Sequence, residues 1–375
     1  MKFKTNQSQF LSALNQVASV VGAHAALPIL NNILIEACDG FLKLTTTSID
    51  LRICCKVKAD VMEEGKITLP AKILKEMLGG FQDEVFFNQK NPTRVEISSG
   101  NSLFTLNGID AGEFPLAPSF NDEIAFEFEK SLISSMLNSV AYAQSTDENR
   151  YVLNGVYFKI DGNTISVVAT DGKRLAVCKK NCEISVDNPI KFILPAKTVF
   201  ELQKQLVGDG KMTFSFSSHL IAFKIDAADS EKTGIIDKIT LVSKLVDGTY
   251  PKYEGVIPKD SSKLIEIDRD EMFYAISQAK SVISDRNNNS VTFDIRENLI
   301  DVTAVSSEFG EASVKLDVRY SGDEVKISFN PNFILDLMKA LPQNKLIFEF
   351  KDQMSPGVIK TKEDDFICVI MPQRQ

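Results

Sequence analysis

Asp171, Lys173 and Arg174 form the tightest cluster of chemically able side chains in the sequence, within Ala169–Cys178, ATDGKRLAVC. Three charges around a glycine could hold a phosphate or a carboxylate, or could be solvated charges on a turn. Catalysis needs more, a nucleophile with a base beside it or a paired acid and base. The only two histidines, His24 and His219, fall in different parts of the chain, and neither a G-x-S-x-G nor a G-x-x-x-x-G-K motif occurs. Of the six cysteines, the adjacent Cys54 and Cys55 alternate across a strand, Cys178 and Cys182 have no second pair nearby, and Cys38 and Cys368 stand alone. A structural zinc wants four ligands at close spacing, so the expectation is buried, reduced thiols and no metal, cofactor or catalytic residue.

A second chemistry, loose attraction of phosphates, has better support. The tetrapeptide LPAK occurs at Leu69–Lys72 and again at Leu194–Lys197, each time opening a helix-like stretch. A lysine in the first helical turn faces the positive end of the helix dipole, at a cost of about 0.3–1 kcal/mol. Repeating that placement at equivalent positions argues for an anionic partner. The net charge of −8 argues the other way, yet the charges are unevenly spread. The helices that follow the LPAK-type turns total about +2, leaving the remaining strands and loops at about −10. Helices sharing one surface would attract a polyanion that the rest of the molecule repels.

Positioning those lysines falls to a repeat. Pro70, Pro195 and Pro331 each end a strand-like run and stand where a first helical turn begins. The helices they open have apolar positions Ile73, Leu74, Met77, Leu78; Val199, Phe200, Leu202, Leu206; and Phe333, Ile334, Leu337, Met338. Each copy has an earlier helix, marked by Phe10, Leu11, Leu14, Val17, Val21; by Leu132, Ile133, Met136, Leu137, Val140; and by Met272, Phe273, Ile276, Ala279, Ile283. Hairpin-like pairs lie between: ILIEACDGFLKLTTT, VYFKIDGNTISVVAT and VTFDIRENLIDVTAV. The period is about 125 residues, and each copy reads strand–helix–strands–helix–strands, an α+β fold with half-buried antiparallel sheets. With 44% hydrophobic and 25% charged residues the chain can bury several cores. No apolar run reaches the length of a membrane span, and the N-terminus lacks a signal-peptide pattern, so a cytoplasmic protein without a membrane partner is expected.

ATDGKRLAVC, with RYVLNGVYF before it, SKLVDGTYP at Ser243–Pro251 and VIMPQRQ at the C-terminus, closely resembles the bacterial sliding clamps, the β subunits of DNA polymerase III. LPILNNILIEACDG and DAGEFP at Asp110–Pro115 are similar to that family too, and the resemblance runs from the first residue to the last. It implies three tandem clamp domains, at 1–122, 123–258 and 259–375, with antiparallel sheets outside and two helices per domain inside. Two chains would close head to tail as a homodimer, a six-domain ring. The implied function is that of a non-catalytic processivity factor, which encircles double-stranded DNA without reading its sequence. A repeat-built scaffold that binds only peptides is the alternative.

The family's DNA-facing positions fall on His24, Lys72, Tyr151 and Lys197, with His24 where arginine is frequent and Asn332 at the lysine place of the third repeat. Its partner-peptide cleft, which takes short segments of the polymerase III α subunit, the clamp loader, other polymerases and repair proteins, maps to Leu153, Thr170, Gly172, Lys173, Arg174, Leu175, Pro251, Val256, Val369, Met371, Pro372, Gln373 and Arg374. Lys173 stands where the family often has histidine, Gly255 and Gln373 replace larger or more apolar residues, and the chain ends in Gln375 rather than leucine. The dimer contact maps to Phe104 and Leu106 against Val282 and Ile283. Asp226–Lys238, DAADSEKTGIIDK, is longer than the family's usual loop and receives no role from the sequence.

Overall fold

A computed structural model of the chain describes residues 1–21, 27–118, 125–217, 219–283 and 289–374. His24 lies outside the described residues. In the first repeat β1 (Lys2–Asn6) leads into α1 (Gln7–Ala18), then β2 (Asn32–Cys38), β3 (Phe41–Thr47), β4 (Leu51–Lys58), β5 (Asp60–Glu63) and β6 (Gly65–Pro70). Helix α2 (Ala71–Gly79) and strands β7 (Glu84–Asn91), β8 (Arg94–Ser99) and β9 (Ser102–Asn107) complete it. The second repeat has β10 (Ala125–Glu129), α3 (Lys130–Val140), β11 (Gly155–Thr170), β12 (Arg174–Pro195) and α4 (Ala196–Gln205). It continues with β13 (Lys211–Ser217), β14 (Leu220–Asp226), the short α5 (Ser230–Thr233) and β15 (Ile235–Lys244). The third has β16 (Lys263–Asp268), α6 (Arg269–Lys280), β17 (Val291–Arg296), β18 (Leu299–Ser306), β19 (Gly310–Asp317) and β20 (Val325–Phe329). It ends with α7 (Pro331–Ala340), β21 (Lys345–Phe350), β22 (Gly357–Lys360) and β23 (Phe366–Ile370).

Local chemistry sets the helix starts. Asn6 caps α1 by accepting from Gln9 N, and Asp268 caps α6 by accepting from Asp270 N and Glu271 N. Pro331 occupies the first turn of α7 behind the Asn330 cap, as the sequence suggests. Pro70 differs: it closes strand β6 opposite Asn32 and is itself the cap residue of α2, so the helix starts one residue later than expected. The apolar faces are narrower than the sequence suggests. Ala71, Leu74 and Leu78 are the buried stripe of α2, whereas Ile73 is exposed; in α4 Val199 and Leu202 are buried and Phe200 is exposed. One stripe is all a two-turn helix can bury against a sheet. Val21 and Ile283 lie beyond the ends of α1 and α6.

Chain contacts divide the molecule into two compact units, Met1–Ser134 with Phe200–Leu245, and Ser135–Val199 with Val246–Gln375. The first unit holds a five-stranded sheet, β5-β1-β7-β8-β9, and an eight-stranded one, β10-β13-β14-β15-β4-β3-β2-β6. Phe3 stacks on Phe87 at 4.5 Å with Phe10 edge-on, filling the core under α1. The second unit holds a six-stranded sheet, β11-β12-β23-β22-β21-β16, and a four-stranded one, β19-β18-β17-β20. The strand pairs of the described residues are antiparallel, and the order β1-β7-β8-β9 returns as β10-β13-β14-β15 and as β16-β21-β22-β23.

Two of these three half-sheets are continued by a strand of the preceding repeat. β15 pairs with β4, Leu241 opposite Ile53, and β23 pairs with β12, Val369 opposite Leu175. β9, the counterpart of β15 and β23, is a sheet edge, and so is β19, the counterpart of β4 and β12. The segment between β14 and β15 reinforces the first of these junctions. Gln9 Nε2 donates to the Glu231 carbonyl at 2.9 Å, Lys58 N donates to the Gly234 carbonyl at 3.1 Å, and buried Ile235 pairs with Val57. Gly234, at φ +65°, lies so near Gln9 that a Cβ would come within 2.6 Å, so only glycine fits.

Candidate functional site

The turn joining β11 to β12 holds the charge cluster that the sequence singles out. Thr170 Oγ1 donates to the Arg174 carbonyl at 2.6 Å and accepts from Gly172 N at 3.1 Å. Asp171 Oδ1 accepts from Lys173 N at 2.9 Å and Arg174 N at 3.0 Å, while Oδ2 accepts from Arg174 Nε at 3.1 Å. Gly172, at φ +85°, makes this tight turn accessible. The Arg174 guanidinium also donates to Asp336 Oδ2 at 2.8 Å and to the Tyr142 carbonyl at 2.6 Å. It stacks over the rings of Phe333 and Tyr142, 4.5 and 5.3 Å from their centroids. Its side chain is only 10% exposed. Asp171 and Arg174 thus neutralise each other and tie the turn to α7. They do not wait for a ligand as a phosphate or carboxylate site would, nor are they the solvated pair of the simpler reading.

Beside this turn is an apolar cavity of about 180 Å³. Ten of the residues expected in a cleft line it: Leu153, Thr170, Gly172, Lys173, Arg174, Leu175, Pro251, Val256, Val369 and Met371. Leu175 and Val369, paired across β12 and β23, form its floor together with the core around Val168, Ile193 and Tyr250. Met371 N donates to the Lys173 carbonyl at 2.9 Å, which holds Met371 at the rim. Pro372, Gln373 and Arg374 do not line the cavity; Gln373 N donates to the Ser328 carbonyl at 2.7 Å and draws the chain away. Two lining residues are additional, Lys252 and Tyr253. Tyr157 stacks on Tyr250 at 4.9 Å and meets Tyr253 edge-on at 6.3 Å. Burial pushes the Tyr253 hydroxyl up to about 12, so it stays protonated. The signal for Tyr253 was the second aromatic of TYPKYEG, two residues past Pro251.

The remaining expected residues lie elsewhere. Lys72 is the second residue of α2 and Lys197 of α4; both are exposed, and neither has an ion-pair partner among the described residues. Tyr151 is exposed beside Gly248. Phe104 lies on edge strand β9, 45% exposed, against Phe81 at 5.4 Å, with Leu106 half-buried beside it and Leu103 still more exposed at 68%. Val282 and Ile283 follow α6 and are half-buried. Among the described residues no group of histidine, cysteine and carboxylate side chains could hold a metal, and all six cysteines are unpaired. Burial raises the Cys54, Cys55, Cys178 and Cys368 thiols, which makes them inert rather than nucleophilic. No described helix is long and apolar enough to cross a membrane.

Comparison with known proteins bears on the whole length. Residues 1–118, 127–252 and 254–374 match the N-terminal, central and C-terminal domains of the DNA polymerase III beta subunit. The beta sliding clamp of Haemophilus influenzae is 30% identical over 380 residues, covering all of both chains, and that of Escherichia coli is 29% identical over 377 residues. Among solved structures, a sliding clamp from Pseudomonas aeruginosa, described as DNA polymerase III subunit beta bound to griselimycin, superposes with a TM-score of 0.91 at 28% identity over the full length of both chains. The DNA polymerase sliding clamp of Bacillus subtilis gives 0.93 at 26% identity, over all of this chain and 99% of that one. Three successive domain matches, full-length relatives and a repeated sheet order agree: the chain belongs to the DNA polymerase III beta subunit family, the bacterial sliding clamps.

Proposed function

We propose that two copies of this chain join head to tail into a closed ring around duplex DNA, and that the ring keeps a DNA polymerase on its template by enclosure. The observation that carries this reading is that two sheet edges, β9 and β19, have counterparts in the other repeats that are paired to each other within the chain. Within one chain, β15 finds β4 and β23 finds β12. The same joint needs β9 to find a β19, and both are edges bearing exposed residues. A second copy supplies both missing partners at once, the heterologous contact that closes a ring. Phe104 and Leu106 would then meet the region of Val282 and Ile283 of the partner subunit. The repeats divide at 1–122, 123–258 and 259–375 in this reading.

Lys72, Lys197, Tyr151 and His24 face the DNA in this reading, and loose phosphate attraction without base contacts is what sliding requires. The apolar cavity of the second unit takes a short peptide of the polymerase III α subunit, and clamp loader, other polymerases and repair proteins use the same place. The protein itself performs no chemistry and acts in the cytoplasm, where the chromosome is. Retention on DNA separates this from a peptide-binding scaffold. Loaded by its clamp loader on a nicked circle, the protein stays bound, and it is lost when the circle is cut to a linear form. Equal loss from both forms refutes enclosure. Phe104→Asp places a charge in the joint, and light scattering then gives half the wild-type mass; an unchanged dimer refutes the assigned edge.

A further inference from the structure

We infer that the first unit carries a closed copy of the cleft, with Arg52 as its plug, so that one side chain sets how many peptides each chain accepts. The inference rests on the reading of the open cavity as a peptide site, and it concerns a different place in the fold. Strand register gives the correspondence. Leu175 lies opposite Thr170 on β11 and opposite Val369 on β23; Arg52 lies opposite Thr47 on β3 and opposite Val242 on β15. Gly155 opposite Pro195 matches Asn32 opposite Pro70, which puts Leu30 in the place of Leu153. Pro115 follows buried Phe114 as Pro251 follows buried Tyr250. The rim bond recurs too: Lys244 N donates to the Asp50 carbonyl at 2.9 Å, as Met371 N does to that of Lys173.

The surroundings of the copy are those of a cleft. Leu30 and Phe114 pack in one apolar core, as Leu153 and Tyr250 do in the other. Ile49, on the turn between β3 and β4, and Leu116, after Pro115, are left uncovered at 70% and 94% exposure. What differs is the side chain in the place of Leu175. Half-buried Arg52 donates from Nη1 to the Pro115 carbonyl at 2.8 Å and lies over the Phe114 ring, 5.5 Å from its centroid. Its guanidinium therefore reaches from the β4 floor to the proline wall, across the gap that stays open between Leu175 and Pro251 in the second unit. An apolar side chain entering there must displace a cation from a ring and a carbonyl, which turns peptides away. The rim differs as well: Lys244 Nζ pairs with Asp50 Oδ1 at 2.9 Å where the open cleft has Met371. That pair is exposed and weak, so Arg52 is the main obstacle.

The experiment uses the full chain and a short peptide with a leucine–phenylalanine anchor. Isothermal titration counts the peptides bound, and hydrogen exchange locates them. Wild type takes one peptide per chain, with protection around Leu175 and Val369 and none around Ile53 and Val242. Arg52→Leu takes a second, with new protection around Ile53 and Val242. The second site is about 10- to 100-fold weaker than the first, because Lys244 stands where Met371 closes the open cleft. Adding Lys244→Met tightens it by about tenfold and leaves the first site unchanged. Pro115 is exposed, so its carbonyl rehydrates when the arginine goes, and Arg52→Ala serves as a second way to empty the place. One peptide per chain in both variants, at the wild-type melting temperature, overturns the plug and leaves the open cleft standing. Two peptides on wild type overturn the plug without recourse to any variant. No peptide on wild type overturns the open cleft and the plug with it.

Discussion

Arg174 is the residue whose replacement tests the site most directly, because it lies at the cleft yet spends its charge elsewhere. Arg174→Ala removes the Nε and Nη1 contacts to Asp171 and Asp336, the Nη2 donation to the Tyr142 carbonyl, and the stacking over Phe333. Asp336 is partly exposed and rehydrates at small cost, so its share is about 0.5 kcal/mol. The Tyr142 carbonyl loses a charged donor, which costs about 1–3 kcal/mol. Asp171 keeps its two backbone donors but loses its counter-charge, and the ring stacking is worth about 0.5–2 kcal/mol. The sum is about 3–5 kcal/mol, the usual cost of breaking a mostly buried pair. For a unit of this size that lowers its melting temperature by about 6–20 °C. Because two units need not unfold together, calorimetry should show the loss in one transition rather than a uniform shift. Arg174→Lys keeps the charge but not the fork and recovers less than half of the loss. The reasoning is refuted if Arg174→Ala melts within about 2 °C of wild type while losing peptide affinity, since that is how a solvent-facing ligand residue behaves.

Three further outcomes follow from described contacts. Arg296, and then Lys326, hold the Asp294 carboxyl down at about 2, so the stabilisation it gives is complete above the ordinary value near 4 and is lost as pH falls through 2. Because both cations are exposed, Asp294→Asn costs about 1–2 kcal/mol at pH 6 in urea unfolding, and the gap from wild type narrows between pH 4 and 2; a gap independent of pH refutes the pairing. Replacing residues 228–234 by a two-residue turn removes the carbonyls that bind Gln9 and Lys58. The Lys58 amide then exchanges with solvent at least about tenfold faster while β12 and β23 stay protected, and unchanged exchange at Lys58 argues against reinforcement of the β4–β15 junction by this segment. Deleting 371–375 takes Met371 from the cavity wall; peptide affinity drops about tenfold with the dimer mass unchanged, and retained affinity refutes the cavity as the peptide site.

The repeat was legible because its punctuation is local: Pro70, Pro195 and Pro331, and the three- and four-residue spacing of Leu74 and Leu78, each say what the adjacent backbone does. The cavity was legible only through resemblance, since Leu153, Leu175 and Val369 look like any core residues and come together by long-range pairing. The splice of β4 to β15 was not legible, because strand pairing across a repeat boundary leaves no periodic trace in either strand. Arg174 misled for the same reason: its partners Asp336 and Tyr142 are far away in sequence, and without them it reads as a free charge. Ile73 and Phe200 misled in the opposite direction, apolar by type yet left outside the stripe that a short helix can bury.

The spliced sheets have a consequence for how the chain can be taken apart. A repeat is the unit of sequence, but it is not a unit that stands alone. Cut at 122, the first repeat would present the bare side of β4; cut at 258, the second would present β12 without β23. Such naked ladders recruit strands from any neighbour, so isolated repeats should aggregate more readily than the intact chain. Exchange of parts between relatives is therefore constrained to keep each strand with the partner it grew beside, and inheritance must move neighbouring halves together.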